Sequence, residues 1–313
     1  MNNNNTNSDR EIDLRDVFVL LWNKKFLLLL LTSTFATFSV IYALSLPNIY
    51  SSEALLAPAT EESSLSSKVG QFSGIGLPGF NISNQSNTNT KEAIERMKSF
   101  DFFKTYFLPN IQLENLMAVV SWNAKDNTLM YNENLFNEES RKWIRDVSFP
   151  KKTIPSEQEA YNEIYKEIFT VNLNKNSGFI SLSIKHKSPY IAKKWLDIII
   201  LNINESMREL DKKNAQNSIN FLNDSIKSTS LKSITDVISV LLENQMQTLM
   251  LAHSQDDYVF KVIESPFVAE KKSEPSRSKI CILITFMGFV FSVILIFLLE
   301  YIKSNKHRSM LRL

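Results

Sequence analysis

Few residues in this chain have types and spacings that could do chemistry. Gly74-Ile75-Gly76-Leu77-Pro78-Gly79 matches the pattern G-x-G-x-x-G letter for letter. In a dinucleotide site such glycines follow a strand and open a helix, so that backbone N–H groups and the helix N-terminus reach a pyrophosphate. Here serine-rich sequence precedes the motif, Asn81-Ile82-Ser83-Asn84 follows it and Pro78 sits inside it, so the context for a nucleotide is missing. His186, His253, His307 and the single Cys281 are far apart in sequence and suggest neither a metal set nor a nucleophile with its base. Glu61-Glu62 and Asp256-Asp257 could be imagined as glycosidase carboxylates, but that chemistry depends on a separation no sequence contains, and such doublets ordinarily face water. Lys151-Lys152, Lys193-Lys194 and Lys212-Lys213 would suit anionic lipid headgroups or a pyrophosphate-linked carrier. Pairs nevertheless fall short of the clusters of about 4–8 basic residues that mark lipid binding. The expectation is a protein that is not an enzyme, with no cofactor and no metal.

Composition narrows the partners. Against 33 Asp+Glu stand 35 Lys+Arg, a net charge of +2 that offers no basic field for nucleic acid. One cysteine excludes an intramolecular disulfide framework. The hydrophobicity is concentrated at the two ends: residues 26–46 and 280–299 carry no charge at all. Each run is about 20 residues, enough for a hydrocarbon core of ~30 Å. No small-x-small cleavage pattern follows Leu46, which argues against a signal peptide. Arg10, Arg15, Lys24 and Lys25 precede the first run, and Lys303, Lys306, Arg308 and Arg312 follow the second, although Lys271, Lys272, Arg277 and Lys279 stand before it. The positive-inside rule then puts both termini in the cytoplasm. The expected organisation is a cytoplasmic tail (1–25), a span (26–46), an external region (47–279), a second span (280–301) and a second tail (302–313). Neither tail is long enough for a kinase, cyclase or ATPase.

These anchors are joined by an external domain of the α+β class. Residues 50–58 read as a strand, and residues 60–90, rich in Ser, Asn, Gly and Thr, as a long loop. A helix over 91–108 is expected, with Ser99 as an internal cap and Pro109 as its end. A short helix over 137–144 would place Trp143 on its buried side. Ser156 and Glu159 have capping-box spacing for a helix to about Phe169. Residues 178–186 alternate as a strand. Ser188-Pro189 then opens a helix to about Lys227 with no glycine or proline in it, close to 60 Å long. After a reversal at 228–230, a helix over 231–253 carries Ile234, Val237, Ile238, Leu241, Leu242, Met246, Leu249 and Met250 as a wide apolar stripe. Packing against the preceding helix would cover it; self-association is favoured, because that helix offers only a narrow apolar partner. Residues 258–264 form a last strand. The arm of about 189–253 should reach away from a mixed helix-and-sheet base on the membrane.

Taken in order, several segments resemble the Wzz-type chain-length determinants, the polysaccharide co-polymerases of Gram-negative inner membranes. They are the two spans, Ser52-Glu53-Ala54-Leu55-Leu56-Ala57-Pro58-Ala59, Gly70-Gln71-Phe72-Ser73-Gly74-Ile75, Pro155-Ser156-Glu157-Gln158-Glu159-Ala160-Tyr161, the run from Ser188-Pro189 to Met207-Arg208-Glu209, Thr248-Leu249-Met250-Leu251-Ala252, and Tyr258-Val259-Phe260-Lys261-Val262-Ile263. The resemblance implies a ring-like homo-oligomer in the inner membrane with its bulk in the periplasm, which sets how many repeat units the O-antigen polymerase adds to a lipid-linked glycan. On that basis Ile234, Leu241, Met246 and Leu249 are expected at contacts between copies. The family's proline-rich approach to a small-residue second span is represented here by Pro266, Pro275 and Gly288, the expected contacts to the polymerase. Besides a second copy and the polymerase, the partners implied are membrane lipids and the lipid-linked polysaccharide. A two-span periplasmic adaptor of an export complex is the competing expectation, and an extracytoplasmic enzyme acting on lipid-linked sugar a further one.

Overall fold

The computed structural model describes residues 19, 21–59, 85–228, 231–254 and 257–310, and for 85–88 and 303–310 only the backbone. The longer helices are α1 (Lys25–Ser45), α2 (Gln85–Lys98), α3 (Pro189–Ser228), α4 (Lys232–Ser254) and α5 (Arg277–Met310). The strands are β1 (Tyr50–Pro58), β2 (Val119–Asn123), β3 (Thr128–Tyr131), β4 (Phe136–Asn137), β5 (Lys142–Trp143), β6 (Phe169–Leu173), β7 (Ile180–His186) and β8 (Phe260–Glu264). They form two compact units, one with α1 and α5, the other running from Ile49 to Lys272. The glycine motif, Glu61-Glu62, Thr229-Ser230 and Asp256 lie outside the described residues.

The larger unit is built on an antiparallel sheet in the order β6-β7-β1-β8. Strand periodicity sorts its faces: Ile180, Leu182 and Ile184 of β7 and Ala54 and Leu56 of β1 are buried, while Ser181 and Glu53 point to solvent. The first half of α3 covers the buried face with Ala192, Trp195, Leu196, Ile199 and Ile203. Gly178, at φ 74°, supplies the left-handed turn before β7.

An aromatic layer lies beside this core. Ser99 ends α2 and starts the next turn, its Oγ accepting from the Phe102 N–H at 3.2 Å, as the spacing predicts. The chain then passes through a π-helical turn, Phe103–Phe107. A second π turn, Tyr161–Tyr165, follows the helix capped by Ser156. The turns meet ring to ring, Phe103 and Phe107 lying 5.0 and 5.1 Å from Tyr165. Carbonyls at the C-terminal end of a helix lack intrahelical partners. The Tyr165 and Tyr161 hydroxyls donate to two of them on α2, Met97 O at 2.8 Å and Lys98 O at 2.5 Å.

Three expectations need correction. Helix α2 begins at Gln85, inside the stretch assigned to the loop. Residues 137–144 are not helical: β4 and β5 form a hairpin whose turn is held by Asn137 Oδ1, which accepts from Ser140 N–H (2.8 Å) and Oγ (2.9 Å). Arg141 at φ 50° breaks any helix there, and Trp143 is half-buried against Phe136, rings 5.4 Å apart. Strand β6 begins at Phe169, where the spacing predicts only the end of a helix, and pairs with β7.

Candidate interaction surfaces

The arm is a helical hairpin. Helix α3 has 40 residues, about 60 Å at 1.5 Å per residue. Its last contribution to the core of the base is Met207. Beyond that point Ala215, Ile219 and Leu222 are buried, and α4 packs back along them. The stripe on α4 is thereby divided. Ile238 and Ala252 are buried, and Leu241, Leu242 and Leu249 are half-buried on the side facing α3. Ile234, Val237, Val240, Met246 and Met250 stay exposed, Met250 at 71%. Intramolecular packing therefore accounts for the centre of the stripe, and its flanks remain open.

The direction of the arm within this unit follows from the chain path. Tyr50 opens β1 opposite His186, the last residue of β7, and α3 starts three residues later. After β8 the chain returns to the same end of the sheet, where Phe267 O accepts from Ser52 Oγ at 2.8 Å. Both connections to the other unit therefore leave from the Tyr50 end, and α3 runs away from it.

In the smaller unit, α1 and the Arg277–Ile302 part of α5 are long and apolar enough to cross a membrane. They pack through small residues: Ser39, Ala43, Gly288 and Ser292 are buried. A Cβ on Gly288 would sit 2.5 Å from Cβ and Cγ of Phe35, so glycine is what lets the helices approach. Arg277 Nη2 donates to Leu46 O (3.3 Å) and Asn48 Oδ1 (3.1 Å) beyond the end of α1. Of the expected contact residues, then, Gly288 meets Phe35 of its own chain. Pro266 is buried just after β8, and Pro275 is half-buried before α5. Helix α5 runs on to Met310, beyond its apolar part.

Polar groups buried in the base serve the fold. His186 Nδ1 accepts from the Ser188 N–H at 2.9 Å, so Nε2 carries the proton and donates to Asn115 O at 3.0 Å. Burial lowers its pKa to about 4, so it is neutral at pH 7. Arg145 and Glu159, side chains 8% and 7% exposed, pair through Nη1 and Nη2 of the guanidinium, Nη2 lying 2.7 Å from Oε2. The hydrogen bond from Arg145 holds the Glu159 carboxyl below its ordinary value. Ser156 does cap its helix, accepting from the Glu159 N–H at 3.1 Å, whereas the Glu159 carboxylate goes to Arg145. Asn204, buried on α3, accepts from the N–H groups of Val259 (3.0 Å) and Phe260 (2.9 Å) and donates to Phe260 O (3.0 Å). It fixes the start of β8 on α3; in sequence it is only a polar residue in an apolar stretch. Among the described residues no group of His, Cys, Asp and Glu could hold a metal ion. An open cleft of about 490 Å³ at Phe100, Ile154 and Ser156 holds Lys152 and Glu157 but no nucleophile–base pair.

Comparison with known proteins gives a family match. Residues 10–107 match the model of Wzz, the chain length determinant protein. No curated protein matches the chain. Among solved structures, the chain is similar to a full-length bacterial polysaccharide co-polymerase at 13% identity, covering 93% of this chain and 99% of that one, with a TM-score of 0.43. It is also similar to a fragment of WzzB, a polysaccharide co-polymerase from Salmonella Typhimurium, at 11% identity, covering 72% of this chain and 100% of that one, with a TM-score of 0.35. The resemblance to the Wzz type is thus shown over residues 10–107, which include α1, β1, α2 and the first π turn.

Proposed function

We propose that this chain is a non-enzymatic regulator of polysaccharide chain length, working as an oligomeric scaffold on an O-antigen polymerase in the bacterial inner membrane. The observation that carries the proposal is the match of residues 10–107 to the chain length determinant model, in a chain with a span-length apolar helix towards each end. Basic residues outside both apolar runs support cytoplasmic termini and a periplasmic region over 47–279. The exposed flanks of α4, with Ile234 and Met246, are the surface we assign to contacts between copies, with Leu241 and Leu249 holding the hairpin beneath them. Pro266, Pro275 and the Gly288 region of the second span are assigned to the polymerase, and the growing lipid-linked glycan passes alongside. Reconstituted polymerase supplied with lipid-linked repeat units tests the proposal. Adding the full chain should narrow and shift the product lengths, while the chain alone neither cleaves nor transfers sugar. Unchanged product lengths, or turnover by the chain alone, would refute it.

A further inference from the structure

The end of the base from which both connections leave carries an aromatic cluster that its own core does not use. Trp122, on the β2–β3 hairpin, has its ring 5.4 Å from Tyr50 and 6.0 Å from Tyr190, the second residue of α3. Trp122 and Tyr50 are half-buried and Tyr190 is 52% exposed. Val120 and Met130 on the same hairpin are exposed, as is Phe267 where the chain after β8 reaches this end. The indole N–H is held by Asn127 Oδ1 at 2.9 Å, so the residue keeps one polar edge and an apolar body.

We propose that this cluster is seated in the headgroup zone of the bilayer and anchors the base on the lipid surface. Tyr50 lies five residues beyond Ser45, the last residue of α1, and at about 3.6 Å per residue it can be no more than about 18 Å along the chain from the end of that span. That tether limits how far the Tyr50 end can lie from the end of α1, and on the return Arg277, where α5 begins, lies ten residues beyond Phe267, beside Ser52. Trp and Tyr favour this zone because one part of the ring is apolar and the other finds hydrogen bonds. The hairpin turn itself adds no net charge, one lysine standing beside one aspartate, Lys125 and Asp126. The proposal rests on α1 and α5 being spans and is independent of the role in chain length.

The test uses the full chain in vesicles of phosphatidylcholine brominated near the headgroup, with aqueous iodide as the opposing quencher. Trp22→Phe and Trp143→Phe leave Trp122 and Trp195; the latter is buried in the base and reports that the fold persists. Loss of the Trp122 emission with brominated lipid, insensitive to high salt and abolished by a further Trp122→Phe, is the expected result. Quenching by iodide instead would place the ring in water, and quenching by neither would place it under another protein copy. Either result would overturn the proposal.

Discussion

Replacing Asn204 by leucine should detach the return of the chain from α3. The side chain makes three hydrogen bonds to the backbone of Val259 and Phe260, which are 6% and 0% exposed, so water cannot replace them. A buried polar group left unpaired costs about 1–3 kcal/mol, and three of them, partly offset by local relaxation and by the apolar leucine, amount to roughly 3–5 kcal/mol. Urea unfolding of the full chain in detergent, followed by Trp195 emission, gives that difference directly. Hydrogen exchange at the amides of Val259 and Phe260 provides a local readout, with protection falling about a hundredfold or more. A loss below about 1 kcal/mol, or unchanged protection at those two amides, would show that β8 is held by its pairing with β1 alone and that the reasoning is wrong.

Three further outcomes are expected. His186 is held near pKa 4 in the fold against 6.5 ordinarily, so the unfolded chain takes up a proton first as pH falls. Its contribution to stability is complete above about 6.5 and declines towards about 4, with a slope of up to ~1.4 kcal/mol per pH unit that His186→Gln should remove from a pH series of urea titrations. Gly288→Leu should push α1 and α5 apart at Phe35, at a cost of about 1–3 kcal/mol. Oxidative cross-linking between native Cys281, whose Sγ lies 3.8 Å from Ser39 O, and a Ser39→Cys substitution should succeed with Gly288 and fail with leucine there. On the arm, Leu241→Asp should melt the hairpin, seen as lost helical circular dichroism, whereas Met246→Asp should keep the helix content and weaken association between copies in membrane cross-linking.

What could be read from the sequence depended on repeat length. Helix α3 and strand β7 repeat their apolar pattern over enough residues to declare both type and buried face. The β2–β3 and β4–β5 hairpins run two to five residues per strand, too short for a period, and their turns depend on Asn127 and Arg141 in left-handed backbone. The two π turns put Phe103, Phe107, Tyr161 and Tyr165 together through an irregular step that helical spacing does not encode. The α4 stripe was visible, but which part of it meets α3 depends on where Ala215, Ile219 and Leu222 fall along the partner helix. Gly288 stood out as the one glycine of its apolar run, yet nothing in the sequence points to Phe35 as the side chain that needs the space.

Whether the chain sets the length of a surface polysaccharide without making it is read from a gel of that polysaccharide from a strain lacking the gene. Polymer should still be made but lose its preferred length, and the full chain supplied in trans should restore it. An unchanged ladder, or the disappearance of polymer altogether, would contradict that role.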